Sequence, residues 1–184
     1  MGKTENEVNQ SHMLLLTTIA LGTLLNPLNS SMIAVALSRL REAFQLDFAD
    51  VSWLISTYYL ASAIVQPVMG KLGDMWGHKR LFLLGLTLVA GASLLAPFSP
   101  GLIWLIIFRI IQAIGSSALF PSGMGMVRNV ISSGQARALG VLSIFSSTSA
   151  ALGPSIGGFL IHFGDWPAIF LVNFPFIIIS FLFG

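Results

Sequence analysis

The sequence predicts an all-α membrane protein whose chain crosses the bilayer as six helices, and two features of composition and one of pattern predict it. Of its 184 residues 55% are hydrophobic and only 9% charged, whereas a soluble domain carries about a quarter charged residues. Mean hydropathy is +0.86. The apolar residues also fall in long charge-poor runs, and about 20 residues of helix cross roughly 30 Å of hydrocarbon. These observations exclude a soluble globular enzyme, a disordered chain and a fibre. A membrane β-barrel is excluded as well, because the runs are too long and do not alternate apolar with polar residues.

The six expected spans are 13–37, 51–70, 81–98, 102–124, 138–161 and 166–184, preceded by a short tail over 1–12. The first run is much longer than the hydrophobic region of a signal peptide, and its tail carries Glu5 and Glu7 beside Lys3. Spans three and four are separated by Ala96-Pro-Phe-Ser-Pro-Gly101, a turn signal because proline and glycine both interrupt helix. Spans five and six are separated by the short His162-Phe-Gly-Asp-Trp166 segment. Lys3, Lys71, Lys79, Arg80, Arg128 and Arg137 lie on one side of the bilayer, and only Arg39 and Arg41 on the other. The positive-inside rule then places the N-terminus in the cytoplasm of a multi-pass protein of the cell membrane.

Other chemistry finds little support. The net charge of +2 comes from nine basic against seven acidic residues and implies no nucleic-acid partner. Without cysteine there is no disulfide or thiolate site. His12, His78 and His162 are far apart in sequence, which makes a metal site improbable. No phosphate-binding glycine loop of the Gly-x4-Gly-Lys type and no Gly-x-Ser-x-Gly elbow is present. No cofactor is expected.

Four patterns stand out within this frame. The loop between spans two and three reads Gly70-Lys-Leu-Gly-Asp74-Met-Trp-Gly77-His-Lys79-Arg80. Its glycines permit a tight turn, and Asp74 lies among cations it can pair with, or near a neighbouring helix N-terminus. Span four carries Arg109 with Gln112 three residues on, on the same helical face. A charge at membrane depth costs at least roughly 2.5–3.5 kcal/mol, so it should face a partner or a wet cavity. Snorkelling is the alternative, although Arg109 lies roughly 10 Å along the helix from the span's start. In span five Gly153 and Gly157 share a face for close helix approach, Gly158 follows, and Pro154 bends the backbone. Span one holds Asn26-Pro27-Leu28-Asn29, amides that either line a cavity or join helices, with a proline able to break the helix near the midplane. No span contains Asp or Glu.

The loop pattern resembles the signature of the major facilitator superfamily, matched here by Gly70, Leu72, Asp74, Gly77 and Lys79, with departures at Met75 and His78. The run around Arg109 resembles the fourth-helix motif of proton-coupled members. The Gly153-Pro154 run resembles the fifth-helix antiporter motif, with Ser149 replacing its first glycine. Trp166, Phe170, Asn173 and Pro175 are spaced as in the fourteen-span drug/proton antiporters. The resemblance implies one half of a major facilitator fold, built as a 3+3 inverted repeat. It implies proton-coupled efflux of amphipathic small molecules by alternating access. Arg109, Gln112, Asn29 and Asn26 would then face the path, and Phe120, Phe145 or Phe170 would line a drug pocket. Gly70, Asp74, Gly77, Lys79 and Arg80 would form a cytoplasmic latch, and Gly153, Pro154, Gly157 and Gly158 the antiporter helix. The implied partners are the lipid bilayer, a small-molecule substrate, protons and a second six-helix half, the chain being read as a truncated first half. A sugar or metabolite facilitator and a non-transporting six-span scaffold are the alternatives.

Overall fold

In the computed structural model, which describes residues 2–131 and 134–183 and side chains from Met13 onward, every element is helical among the described residues. Span one is two helices, α1 (Gly2–Thr23) and α2 (Leu25–Phe44). Spans two to five are α3 (Phe48–Trp76), α4 (His78–Leu95, followed by a 3₁₀ turn over Ala96–Phe98), α5 (Leu102–Val130) and α6 (Gln135–Gly164). Span six is again two pieces, α7 (Ala168–Leu171) and α8 (Asn173–Phe183).

Both interruptions fall three residues before a proline. Proline has no N–H to give to the carbonyl four residues back. Pro27 therefore leaves Thr23 without a helical donor, and the turn slips at Leu24; Pro175 does the same to Leu171, and the helix breaks at Val172. Among the described residues five helical spans are long and apolar enough to cross a membrane, while the sixth, Ala168–Phe183, is shorter.

The helices outrun the apolar stretches. α3, expected over 51–70, extends from Phe48 to Trp76, and span one runs on to Phe44 past Arg39, Arg41 and Glu42. Helical hydrogen bonding does not depend on apolarity, so charged residues simply carry the helix out of the hydrocarbon. α1 likewise begins at Gly2, within the segment read as a tail. α2 ends with Gln45 left-handed at φ 51°, its N–H on the Glu42 carbonyl at 3.4 Å, while the Leu46 N–H reaches the Arg41 carbonyl at 3.1 Å. This is the paired closure of a Schellman cap made without glycine.

Packing follows an internal symmetry. The most extensive contacts between spans are α4 on α5, α3 on α5 and α2 on α6. Exchanging the first three spans with the last three turns the contact of span one with five into that of span four with two. The same exchange turns the contact of spans three and four, α4 on α5, into that of spans six and one, which α8 and α1 make. That is the pattern of a 3+3 repeat. Leu28, Met32, Leu40, Leu54, Leu105 and Phe170 fill the core at one end, and Ile19, Val127, Ala138 and Leu142 at the other. α3 and α6 bury least, with 22% and 17% of their apolar windows inside the bundle, so their faces await lipid or further protein. Large apolar side chains such as Ile103, Ile144, Phe159 and Leu182 point outward, as a lipid-facing surface requires.

Candidate functional site

Where the two broken spans pass the intact ones, the bundle's centre is polar. Arg109 on α5 is 1% exposed, one of the most deeply buried large side chains. Its Nη1 donates to Oε1 of Gln112 at 2.6 Å, and the guanidinium lies over the Tyr58 ring of α3, 4.1 Å from the centroid. A cation over an aromatic face gains roughly 2 kcal/mol when desolvated. Among the described residues Nε and Nη2 find no partner, and no carboxylate faces the charge.

Gln112 passes the connection on. Its Nε2 donates to Asn29 Oδ1 at 3.1 Å and to Ser93 Oγ at 3.0 Å. Asn173 Nδ2 donates to the same two oxygens, both at 2.9 Å. Two amide donors thus share two acceptors, and the four side chains come from α2, α4, α5 and α8. Asn29 also donates its Nδ2 to the Leu25 carbonyl at 2.8 Å, which fixes its orientation. Of the four expected path residues, Arg109, Gln112 and Asn29 meet here, sealed from solvent at 1%, 1% and 3% exposure.

Asn26, half-buried, belongs elsewhere. It lines a groove of about 420 Å³ whose walls come from spans one, two, four and five. Thr23, Pro27 and Ser30 join it from span one, Tyr59, Ser62 and Gln66 from α3, Phe120 from α5 and Ser146 from α6. None of these carries a charge. Of the three expected pocket aromatics only Phe120 lies on this groove. Phe170 is buried against Trp166, ring centroids 6.3 Å apart, and Phe145 is exposed on α6. Tyr58 touches both the charge and the backbone of a groove residue. Its ring carries Arg109, and its hydroxyl pairs with Ser116 Oγ at 3.0 Å and reaches the Asn26 carbonyl at 3.5 Å.

The glycine-rich loop forms the turn between α3 and α4. Gly77 sits there at φ 93°, a backbone that favours glycine. Asp74 in the last turn of α3 pairs with His78 Nε2 at 3.4 Å rather than with Lys71, Lys79 or Arg80. His78 fits a notch where a side chain at Gly73 or Gly125 would strike its ring. Gly70 meets only Pro121 Cβ, at 3.9 Å from where its own Cβ would be, so nothing crowds it. Lys79 and Arg80 open α4, both exposed.

On α6 the small residues face α2 in register. Ser149 Oγ donates to the Leu24 carbonyl at 3.1 Å, a Cβ at Gly153 would collide with Ser31, and one at Gly157 would lie 3.3 Å from the Met32 backbone. Gly158 clears its neighbour, Val35, at 4.0 Å, and Pro154 points outward. Sequence reasoning had no sign of Tyr58, Ser93 or the groove's Ser62 and Gln66; a polar or phenolic group inside an apolar run was the only available signal.

Long apolar helices and a broken sixth span, symmetric by triplets and wrapped around a polar centre, define a multi-pass membrane protein with the six-span unit of a facilitator fold. The profile of the Major Facilitator Superfamily matches residues 19–184. The chain belongs to that family. It is 59% identical over 175 residues to the "Uncharacterized MFS-type transporter YwoD" of Bacillus subtilis strain 168, an alignment covering 95% of this chain and 39% of the relative. It is 32% identical to the "Tetracenomycin C resistance and export protein" of Streptomyces glaucescens, over 87% of this chain and 30% of that protein. It is also 32% identical to the "Riboflavin transporter RibZ" of Clostridioides difficile strain 630, over 93% of this chain and 38% of the relative. The chain therefore spans less than two fifths of the length of each of these relatives.

Proposed function

We propose that this chain is part of a secondary transporter of the cell membrane that exports amphipathic small molecules in exchange for protons by alternating access. The observation that carries the reading is the guanidinium of Arg109, buried with no carboxylate beside it among the described residues and stacked on Tyr58, whose hydroxyl reaches the backbone of Asn26 on an uncharged groove. So expensive a group inside a membrane is a functional candidate by default. Asn26 belongs to the substrate wall, and Arg109, Gln112 and Asn29 form the coupling centre behind it. A fixed positive charge there favours release of a proton from any carboxylate brought opposite it. No carboxylate lies within the apolar stretches of these spans, so proton coupling uses one elsewhere in the transporter or is absent.

Gly70, Asp74, Gly77, Lys79 and Arg80 serve as the latch, on the cytoplasmic side where the N-terminus lies. Gly153, Pro154, Gly157 and Gly158 shape the antiporter helix, whose close seam with α2 lets span five move as one with span one. A second six-helix unit completes the transporter, and the sparsely buried faces of α3 and α6 suit its docking. The tetracenomycin exporter among the relatives supports export. The riboflavin transporter supports a second reading, movement of a metabolite.

Inside-out membrane vesicles with an acidified interior provide the test. Antiport predicts substrate accumulation that a protonophore collapses, and accumulation indifferent to the gradient excludes it. Arg109→Ala is expected to abolish the gradient dependence with membrane insertion intact; unchanged transport would retire the role given to Arg109. Metabolite uptake in the opposite direction would favour the second reading.

A further inference from the structure

Resting on the transport reading above for which end of the bundle faces the cytoplasm, we infer that α1 and α8, the inner pieces of spans one and six, form one cytoplasmic gate that swings about the breaks at Leu24 and Val172. The breaks come as a pair. Pro67, Pro121 and Pro154 lie inside continuous helices, whereas the spans carrying Pro27 and Pro175 are each divided. The divided spans are also neighbours: α1 packs on α8, and Asn29 and Asn173 meet at 2.9 Å close to both breaks. A helix that has lost a ladder bond to proline bends by about 20° or more. On the outer side of the breaks the pieces are held. Asn29 of α2 accepts from Gln112 of α5, and Asn173, at the hinge end of α8, donates to Ser93 of α4. α6 closes on α2 at Gly153 and Gly157, and Ser149 Oγ donates to the Leu24 carbonyl at 3.1 Å, which anchors the hinge itself.

On the inner side the two pieces are tied to each other. Ser180 Oγ of α8 donates to the Thr18 carbonyl of α1 at 2.8 Å, and both groups are buried. Toward α5 and α6 the contacts of α1 are apolar, Ile19 and Ala20 against Val127, Ile131, Ala138 and Leu142. Toward α4 those of α8 are apolar too, Ile177 among Phe82 and Leu86. Apolar faces of membrane helices exchange one another for acyl chains at small cost, because lipid tails are as apolar as leucine. Parting α1 from α8 instead strands a buried hydroxyl. The seam that holds is therefore the one inside the pair, and the seams that yield are those around it. The swing reaches the groove directly. Thr23, the last residue of α1, lines its wall, while Asn26, Pro27 and Ser30 line it from beyond the hinge. Moving α1 and α8 away from α5 opens the groove toward the cytoplasmic end, and their return closes it.

The test uses the protein produced from its own reading frame, in nanodiscs, with nitroxide spin labels. The chain has no cysteine, so introduced pairs are the labels' targets. Leu14 on α1, Val130 on α5 and Leu182 on α8 are exposed toward the inner end. Leu14 and Leu182 each lie ten residues from a break, at Leu24 and Val172. That is about 15 Å of helix, and a swing of about 20° moves either by about 5 Å. Double electron–electron resonance on L14C/V130C is expected to give two distances about 5 Å apart, and L14C/L182C a single one. Pro27→Ala with Pro175→Ala, which restores both ladder donors, is expected to merge the two distances. Ser180→Ala is expected to split the single one, and decides the pairing if the double proline variant fails to insert. One Leu14–Val130 distance, as a bundle that rocks as a rigid body would give, overturns the gate. So do two distances for Leu14–Leu182 in the unaltered protein, or a Leu14–Val130 pair that ignores both proline replacements. Gradient-driven export in vesicles is a separate readout. Export with one Leu14–Val130 distance leaves transport standing and overturns the gate, while two distances without export overturn transport alone.

Discussion

Replacing Gln112 by leucine tests whether the polar centre exists to satisfy Arg109. In the folded chain Gln112 Oε1 is the one hydrogen-bond acceptor recorded for the guanidinium, at 2.6 Å, since Nε and Nη2 have none. A hydrogen bond to a charged group contributes roughly 1.5–3 kcal/mol. The other two bonds of Gln112 matter less, because Asn29 Oδ1 and Ser93 Oγ each keep Asn173 Nδ2 at 2.9 Å. Together these give a loss of about 2–4 kcal/mol for Gln112→Leu. The double variant Arg109→Met with Gln112→Leu removes the charge along with its acceptor. Replacing both members by apolar groups of similar shape is often nearly neutral, so its loss is expected to stay below about 1.5 kcal/mol. Reversible unfolding by sodium dodecyl sulfate in mixed micelles measures both. A double variant at least as unstable as Gln112→Leu alone would refute the reasoning, because the cost would then lie in lost packing instead of a stranded charge.

Two further predictions concern the glycines, read by the same unfolding measurement. At Gly77, with φ 93°, alanine is expected to cost about 1–3 kcal/mol, whereas Gly70→Ala, facing Pro121 at 3.9 Å, is expected to change stability by less than about 0.5 kcal/mol. On α6, Gly153→Val drives into Ser31 and the α2 backbone and is expected to cost about 1–3 kcal/mol by overpacking, while Gly158→Val, with Val35 at 4.0 Å, is expected to be tolerated. Equal losses at Gly153 and Gly158 would contradict the facing assigned to α6.

How much of this was legible depends on where the determining physics resides. The spans are written in the sequence because burial in hydrocarbon is a property of each run by itself. Arg109, Gln112 and Asn29 announce themselves because they are costly wherever an apolar helix places them. Spacing by four residues also foretold the facing of Gly153 and Gly157, since two helices touch only along one stripe. What no run contains is the identity of a partner. Ser93 and Tyr58 look like ordinary members of their helices until the fold brings them to Gln112 and Arg109. Asp74 is surrounded in sequence by lysine and arginine, yet the turn at Gly77 brings His78, the first residue of α4, to where it can pair. Helix ends lie beyond the apolar spans for a related reason: hydropathy marks where the chain leaves lipid, while the helix ends where its hydrogen-bond ladder is capped.

The two prolines tie these features into one arrangement. A broken helix leaves backbone groups that lipid cannot satisfy, so the polar side chains gather where spans one and six are interrupted. At the first break the Leu24 carbonyl accepts both the Leu28 N–H at 3.1 Å and the Ser149 hydroxyl at 3.1 Å. Close to the second, Asn173 opens α8 and reaches across to Asn29 and Ser93. Asn29 and Ser93 also accept from Gln112, and Gln112 accepts from Arg109. Tyr58 then belongs to both sides, its ring against the charge and its hydroxyl toward the Asn26 carbonyl on the groove wall. Groove wall and charge are thus joined by contact through a single side chain.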